Sequence, residues 1–165
     1  MQSTKLKVNW STSVIVITLV GSVIVFAVGY VLIKLLYNDF SFLNVSSALL
    51  IFGTLFACAL QSPRYIVLTD DKLIVKKLFG TFSVERSKIR RVESYAPDSS
   101  EVRLFGSGGF FGYLGKFSSA KIGSYRSFVC NFKQAFLIQT FDGKKYVFSC
   151  ENRDEVINTI KSVIK

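Results

Sequence analysis

Two patterns of apolar residues meet at Ser62-Pro63. Residues 14–36 are almost all Val, Ile, Leu, Phe, Ala and Gly, which meets the roughly 20 apolar residues an α-helix needs to cross a hydrocarbon layer. A second apolar run covers residues 42–60. The five residues between them, Tyr37-Asn38-Asp39-Phe40-Ser41, allow only a tight turn, so the two predicted helices are antiparallel neighbours. Lys34 in the last turn of the first run does not oppose this reading, because its long stem lifts the ammonium to the headgroups. Gly21, Ser22 and Gly29 on the first helix, with Gly53 and Ala57 on the second, offer small positions for close backbone approach. The first run is too long for a usual signal-peptide core, and no small-x-small cleavage site follows it.

Beyond Pro63 the period changes from helical to two. Strands are predicted at 64–69, 72–78, 81–85, 89–95, 136–140 and 144–149, and Asp70-Asp71, Phe79-Gly80 and Asp142-Gly143 supply turns. The expectation is a meander of antiparallel hairpins. The chain then returns to a helical stripe of Val156, Ile157, Ile160, Val163 and Ile164. Asn152 and Glu155 suit the cap and third position of that helix, while Asp154, Lys161 and Lys165 agree with its dipole. The organisation read here is an N-terminal segment 1–12, a transmembrane hairpin 13–62 with helices of about 14–36 and 42–60, and a β-rich domain 63–165 expected to fold by itself.

Charge gives the hairpin a direction. Lys5 and Lys7 precede the first run and Arg64, Lys72, Lys76 and Lys77 follow the second, whereas at the turn Asp39 offsets Lys34. Both termini are therefore expected in the cytoplasm of a cell whose inner membrane the chain crosses twice. Trp10 and Tyr65 at one end, with Tyr37 and Phe40 at the other, suit the two interfacial aromatic belts. Net charge is +10, and all but three of the 21 Lys and Arg lie beyond Pro63. That part should attract anionic surfaces, with lipid the nearer partner because the chain is tethered to a membrane, and no nucleic acid is expected because the aromatic residues read as core alternation.

Several chemistries are excluded. With no histidine and no C-x-x-C pair, neither a zinc site nor a Ser-His or Cys-His centre can be built. Cys58 lies in an apolar run, which leaves Cys130 and Cys150 and suggests a reducing compartment. No carboxylate pair presents itself as acid and base. Catalytic residues, metal, cofactor and small-molecule substrate are all expected to be absent.

Two groups remain as candidates for binding. One is basic, comprising Arg86, Lys88, Arg90 and Arg91 after the third strand together with Lys116 and Lys121. Simple alternation puts Arg91 on the side of Ile89 and Arg90 with Val92, so the first four cannot share a face. The other is the loop Gly106, Gly109, Phe110, Phe111, Gly112, Tyr113 and Gly115. It is not a P-loop, which would need glycine at Phe110 and Ser or Thr at Phe117. Its glycines imply unusual backbone angles, and its aromatic residues either fold back onto the domain, the preferred reading, or touch the membrane interface.

About seven antiparallel strands closed by one C-terminal helix is the order of a pleckstrin-homology-like barrel. The runs RYIVLTDDKLIV at 64–75, IRRVE at 89–93 and GSGGFFGYLGKF at 106–117 resemble the bacterial PH domain family over residues 63–160 or so. That resemblance implies a small membrane-anchored binding or scaffolding module without enzymatic activity. Its partner would be a protein or the anionic phospholipid surface. The alternative is a small accessory subunit of a membrane transporter or enzyme complex. The phosphoinositide pattern of eukaryotic PH domains is incomplete here. Lys72, Lys76 and Lys77 are present, but the first turn is Asp70-Asp71 and the final arginine is missing.

Overall fold

Both apolar runs are helical, as α1 (Thr12–Asn38) and α2 (Phe42–Gln61). At 1.5 Å per residue they measure about 40 and 30 Å. Only 17% of α1's most apolar stretch, and 0% of α2's, is buried within the chain. Neither is therefore the core helix of a soluble domain, and both are long and apolar enough to cross a membrane. The computed structural model describes residues 4–38 and 41–162. Asp39 and Phe40 of the predicted turn, and Val163, Ile164 and Lys165 of the predicted last helix, lie outside the described residues.

The helices meet where Phe52 lies over Gly29, since a Cβ at Gly29 would fall 2.5 Å from the Phe52 ring. Gly53 by contrast faces open space. Ser41 caps α2, its hydroxyl accepting from the Leu43 N–H at 3.2 Å. At the other end of α2, the N–H groups of Phe79 and Leu78 donate to the carbonyls of Leu60 and Ser62 at 2.9 and 3.0 Å. Helix ends leave carbonyls without partners, and here a β-turn supplies them.

Ten strands are found among the described residues, where about seven were expected. β1 (Thr4–Lys7), β2 (Pro63–Leu68), β3 (Lys72–Lys77) and β4 (Thr81–Glu85) form one antiparallel sheet in that order. The other six are β5 (Ile89–Ser94), β6 (Val102–Gly108), β7 (Tyr113–Ser119), β8 (Gly123–Val129), β9 (Ala135–Thr140) and β10 (Lys145–Ser149). They form a second sheet in the order β5-β9-β10-β8-β7-β6. One pair in it, β8 with β10, is parallel, so the sheet is not the expected all-antiparallel meander. α3 (Arg153–Lys161) follows.

The core lies between the two sheets and α3. Leu6 and Val8 from the N-terminal segment, Ile66, Leu73 and Val75 from the first sheet, Phe128, Phe136, Ile138 and Phe148 from the second, and Val156, Ile157 and Ile160 from α3 form one buried cluster. The opposite face of the second sheet carries a smaller cluster that includes Tyr95, Phe117, Tyr125, Leu137 and Val147. Over it the Tyr95 and Tyr125 hydroxyls both donate to Glu101. Burial, reinforced by that carboxylate, pushes the Tyr95 phenol up to about 12 and raises Tyr125 as well.

Two local expectations are corrected. Asn152 does not cap α3 with its side chain; it adopts a left-handed conformation, φ 57° and ψ 38°, with no side-chain cap bond. The alternation expected in β5 is broken by a bulge between Ile89 and Arg91, so Ile89 and Val92 are both buried while Arg90 and Arg91 both face solvent. An extra residue on one strand of a pair resets which side chains share a face.

Candidate functional site

Register divides the barrel into a helix end and a far end. Lys7 pairs with Tyr65 and Pro63 with Lys77, next to the helices. At the other end of the same sheet Thr4 pairs with Leu68 and Lys72 with Glu85. The predicted basic group is spread over both ends. Arg86 is buried at the far end, where its guanidinium donates to the carbonyls of Thr69 and Thr159 at 3.1 and 2.8 Å and ties the β2–β3 turn to α3. Lys88 pairs with Glu85 at 2.9 Å and Arg91 with Glu93 at 2.7 Å. Arg90 is exposed, with no ion pair among the described residues. Lys121 lies in the β7–β8 turn, whereas Lys116 is in β7 beside the second half of α2. Replacing Arg86 with Ala should therefore cost about 2–3 kcal/mol in thermal denaturation, because a buried guanidinium that ties the β2–β3 turn to α3 through two part-buried hydrogen bonds is lost. Arg90→Ala should stay within about 0.5 kcal/mol of wild type.

The glycine-aromatic segment is the β6–β7 hairpin, and it docks on the first apolar helix. Gly106 and Gly115 are direct cross-strand partners with φ of 112° and 123°. At the tip, Gly109 and Gly112 bond each other's backbones at 3.1 and 3.4 Å. The docking is reciprocal: Phe110 occupies the space a Cβ on Gly21 would fill, at 2.8 Å, and Ile17 occupies the corresponding space at Gly109, also at 2.8 Å. Phe111 is the hub. Its φ of 58° is unusual for a non-glycine residue. Its N–H donates to Thr18 Oγ1 at 2.9 Å, its carbonyl accepts from Ser62 Oγ at 3.1 Å, and its ring meets Trp10 edge-on at 6.0 Å. Tyr113 turns the other way, onto Phe132 at 4.7 Å. The segment thus joins barrel to hairpin, with Phe110 and Phe111 on α1 and Tyr113 on the barrel.

Helix arithmetic sets the level of this contact. The nine residues from Phe52 to Gln61, about 14 Å along the axis, put the end of α2 opposite Val20 of α1. Thr18 and Gly21 flank that point, so the hairpin tip lies level with the end of α2. The first two turns of α1 run beside the barrel, with Val14 and Thr18 buried. Nothing in the sequence pattern marked Thr18, Ser62 or β1 as part of this junction, because each is recognisable only by its partner.

Clefts open where the helices meet the domain, one of about 380 Å³ at the start of α1 and two beside α2. Of these two, one of about 930 Å³ lies at the joint of β1, β2 and the helices. The other, of about 460 Å³, lies between α2 and β6–β8 and includes Phe105, Lys116 and Arg126. Cys58, a half-buried free thiol, lines the latter. Cys130 and Cys150 are buried free thiols, pushed up to about 12 by desolvation, and a thiol so held is inert.

The family model described as bacterial PH domain matches residues 64–164. No curated protein and no solved structure is significantly similar to the chain.

Proposed function

Because the chain belongs to the bacterial PH domain family, we propose that it is a membrane-anchored binding or scaffolding module. Its barrel lies against the cytoplasmic face of the inner membrane and contacts the anionic lipid surface or holds a protein partner there. The observation that carries this reading is the grip of the barrel on both helix ends. The β3–β4 turn caps α2, and the β6–β7 hairpin is locked onto α1 through Thr18 and Gly21 and onto the end of α2 through Ser62. A barrel held at several points has a fixed tilt, which suits a module that must present one face to a surface. In support, pairing of β1 with β2 brings both ends of the hairpin to the same domain, and basic residues flank those ends, as the positive-inside rule expects of a cytoplasmic side.

In this orientation the exposed apolar residues beside α2 become interfacial anchors. Phe79 is 72% and Phe105 78% exposed, and both lie at the helix end, where an aromatic ring is stabilised at the headgroup level. Phe141, 68% exposed, is at the opposite end next to Lys88. The test uses a Trp10→Phe chain, which removes the one tryptophan, carrying either Phe79→Trp or Phe141→Trp. In vesicles of brominated lipid the first should be strongly quenched and the second not. Equal quenching, or none at Phe79→Trp, overturns the orientation.

A further inference from the structure

We propose that the larger cleft at the helix end binds the headgroup of an anionic phospholipid, a deeper claim that rests on the membrane-facing orientation above. Its lining is divided in a way that matches an amphiphile. Lys5, Lys7, Arg64 and Lys77 supply cations, Trp10 and Tyr65 supply aromatic edges, and Ala59 at the end of α2 leads down to the apolar helix surface.

The cations have no anion of their own. None of the four forms an ion pair among the described residues, and no acidic side chain lines the cleft. Glu151 reaches Lys7 through its backbone, donating its N–H to the Lys7 carbonyl at 2.8 Å. Two of the ammonium groups are positioned by neutral groups: Lys5 Nζ lies 4.1 Å from the centre of the Tyr65 ring, and Lys77 Nζ donates to Gln61 Oε1 at 2.6 Å. The Lys77 pKa is lowered, first by partial burial and then by repulsion from Arg126, a strain that a bound anion would relieve. At the far end, by contrast, Lys88 and Arg91 are matched with carboxylates. Cations without an ion pair among the described residues occur elsewhere too, as at Arg90, but at the helix end four of them line one hollow that has no carboxylate in its lining.

Geometry favours a lipid over free phosphate. Arg64 follows Ser62-Pro63 directly, so its charge stands at the end of α2, the level of the phosphodiesters when the hairpin spans a bilayer. About 930 Å³ exceeds what a phosphate ion fills and accommodates a headgroup with its glycerol. Each cation near an anionic surface contributes only about 1 kcal/mol. A cleft that draws four of them around one phosphodiester converts diffuse attraction into retention of a single molecule.

The experiment uses the full chain in nanodiscs of mixed phosphatidylglycerol and phosphatidylcholine, released into mild detergent at about 0.3 M salt, where diffuse attraction is screened. Native mass spectrometry then counts retained lipid. Wild type should keep one phosphatidylglycerol. The variants Arg64→Gln with Lys77→Gln, and the exposed pair Lys5→Gln with Lys7→Gln, should each lose it by about tenfold or more. Lys88→Gln with Arg90→Gln, which removes the same charge at the far end, should change nothing. Equal retention of the two lipids, or equal loss in every variant, overturns the cleft, and displacement by millimolar inorganic phosphate would assign it to a free anion. Quenching of Phe79→Trp in the Trp10→Phe chain, in discs of the same composition with brominated phosphatidylcholine, separates the two readings. If quenching persists without selective retention, only the cleft fails; if quenching is also absent, the orientation fails.

Discussion

Deleting residues 1–8 is expected to unfold the barrel, although it removes nothing from the segment 64–164 that matches the family. β1 pairs with β2 over Thr4–Lys7, and Leu6 and Val8, each 6% exposed, belong to the main core cluster. Without them β2 becomes an open edge and the core loses two side chains. Truncating a buried Leu costs about 2–5 kcal/mol by itself. With Val8 and a four-residue ladder added, the loss reaches the 5–15 kcal/mol that a whole domain possesses. Residues 62–165 alone should therefore lack a cooperative melt by circular dichroism, contrary to the self-sufficient domain expected from its own strands, helix and turns. Residues 4–10 joined to 62–165 by a short Gly/Ser linker should restore it. Identical melts for the two would show that β1 is dispensable. The apolar hairpin lies between β1 and β2, so the barrel closes only once both helices have been made and the chain has returned.

That dependence was invisible in the sequence for a physical reason. Thr4–Lys7 is four residues with two lysines, too short to display a period of two, and its single buried position, Leu6, carries meaning only opposite Ile66. The helices were legible because twenty consecutive apolar residues need no partner to be recognised. Strands β2 to β5, β9 and β10 were legible because alternation and turn residues are local. β6 and β7 were not read as strands, because Gly106, Gly108 and Gly115 interrupt the pattern where backbones approach closely; β8 was not read either, and its parallel pairing with β10 is not a local signal. The glycines and aromatic residues of the β6–β7 segment stand out in the sequence, but the partner they dock on, the small face of α1 at Thr18 and Gly21, lies about 90 residues earlier in the chain. Arg86 shows the converse limit. A run of basic residues reads as surface, and only three-dimensional contact reveals that one of them serves two carbonyls inside the fold.

Gly115→Ala is expected to destabilise the full chain by about 3–4 kcal/mol and to release the β6–β7 hairpin from α1. At φ 123° an L side chain is strained whatever the space, and here there is none: a Cβ would lie 2.2 Å from the Phe105 carbonyl oxygen, a backbone atom that cannot rotate away. Gly106 is in the mirror situation, 2.0 Å from the Leu114 carbonyl oxygen. Two glycines facing each other across one rung let the strands cross closely enough to aim Phe110 and Phe111 at the helix. Gly143 has a φ of 78° with open space around it, so its alanine variant should lose only the conformational part, about 1 kcal/mol. Gly53, in a helix and also open, should tolerate alanine or gain from it. The measurement is a cooperative thermal melt in detergent together with Trp10 emission, since Trp10 stands edge-on to Phe111 and reports the docked hairpin. The order expected is Gly115 far below Gly143, and Gly143 below Gly53. A Gly115→Ala chain that melts with wild type and keeps its Trp10 emission would mean that the crossed glycine pair does not hold the barrel to the hairpin.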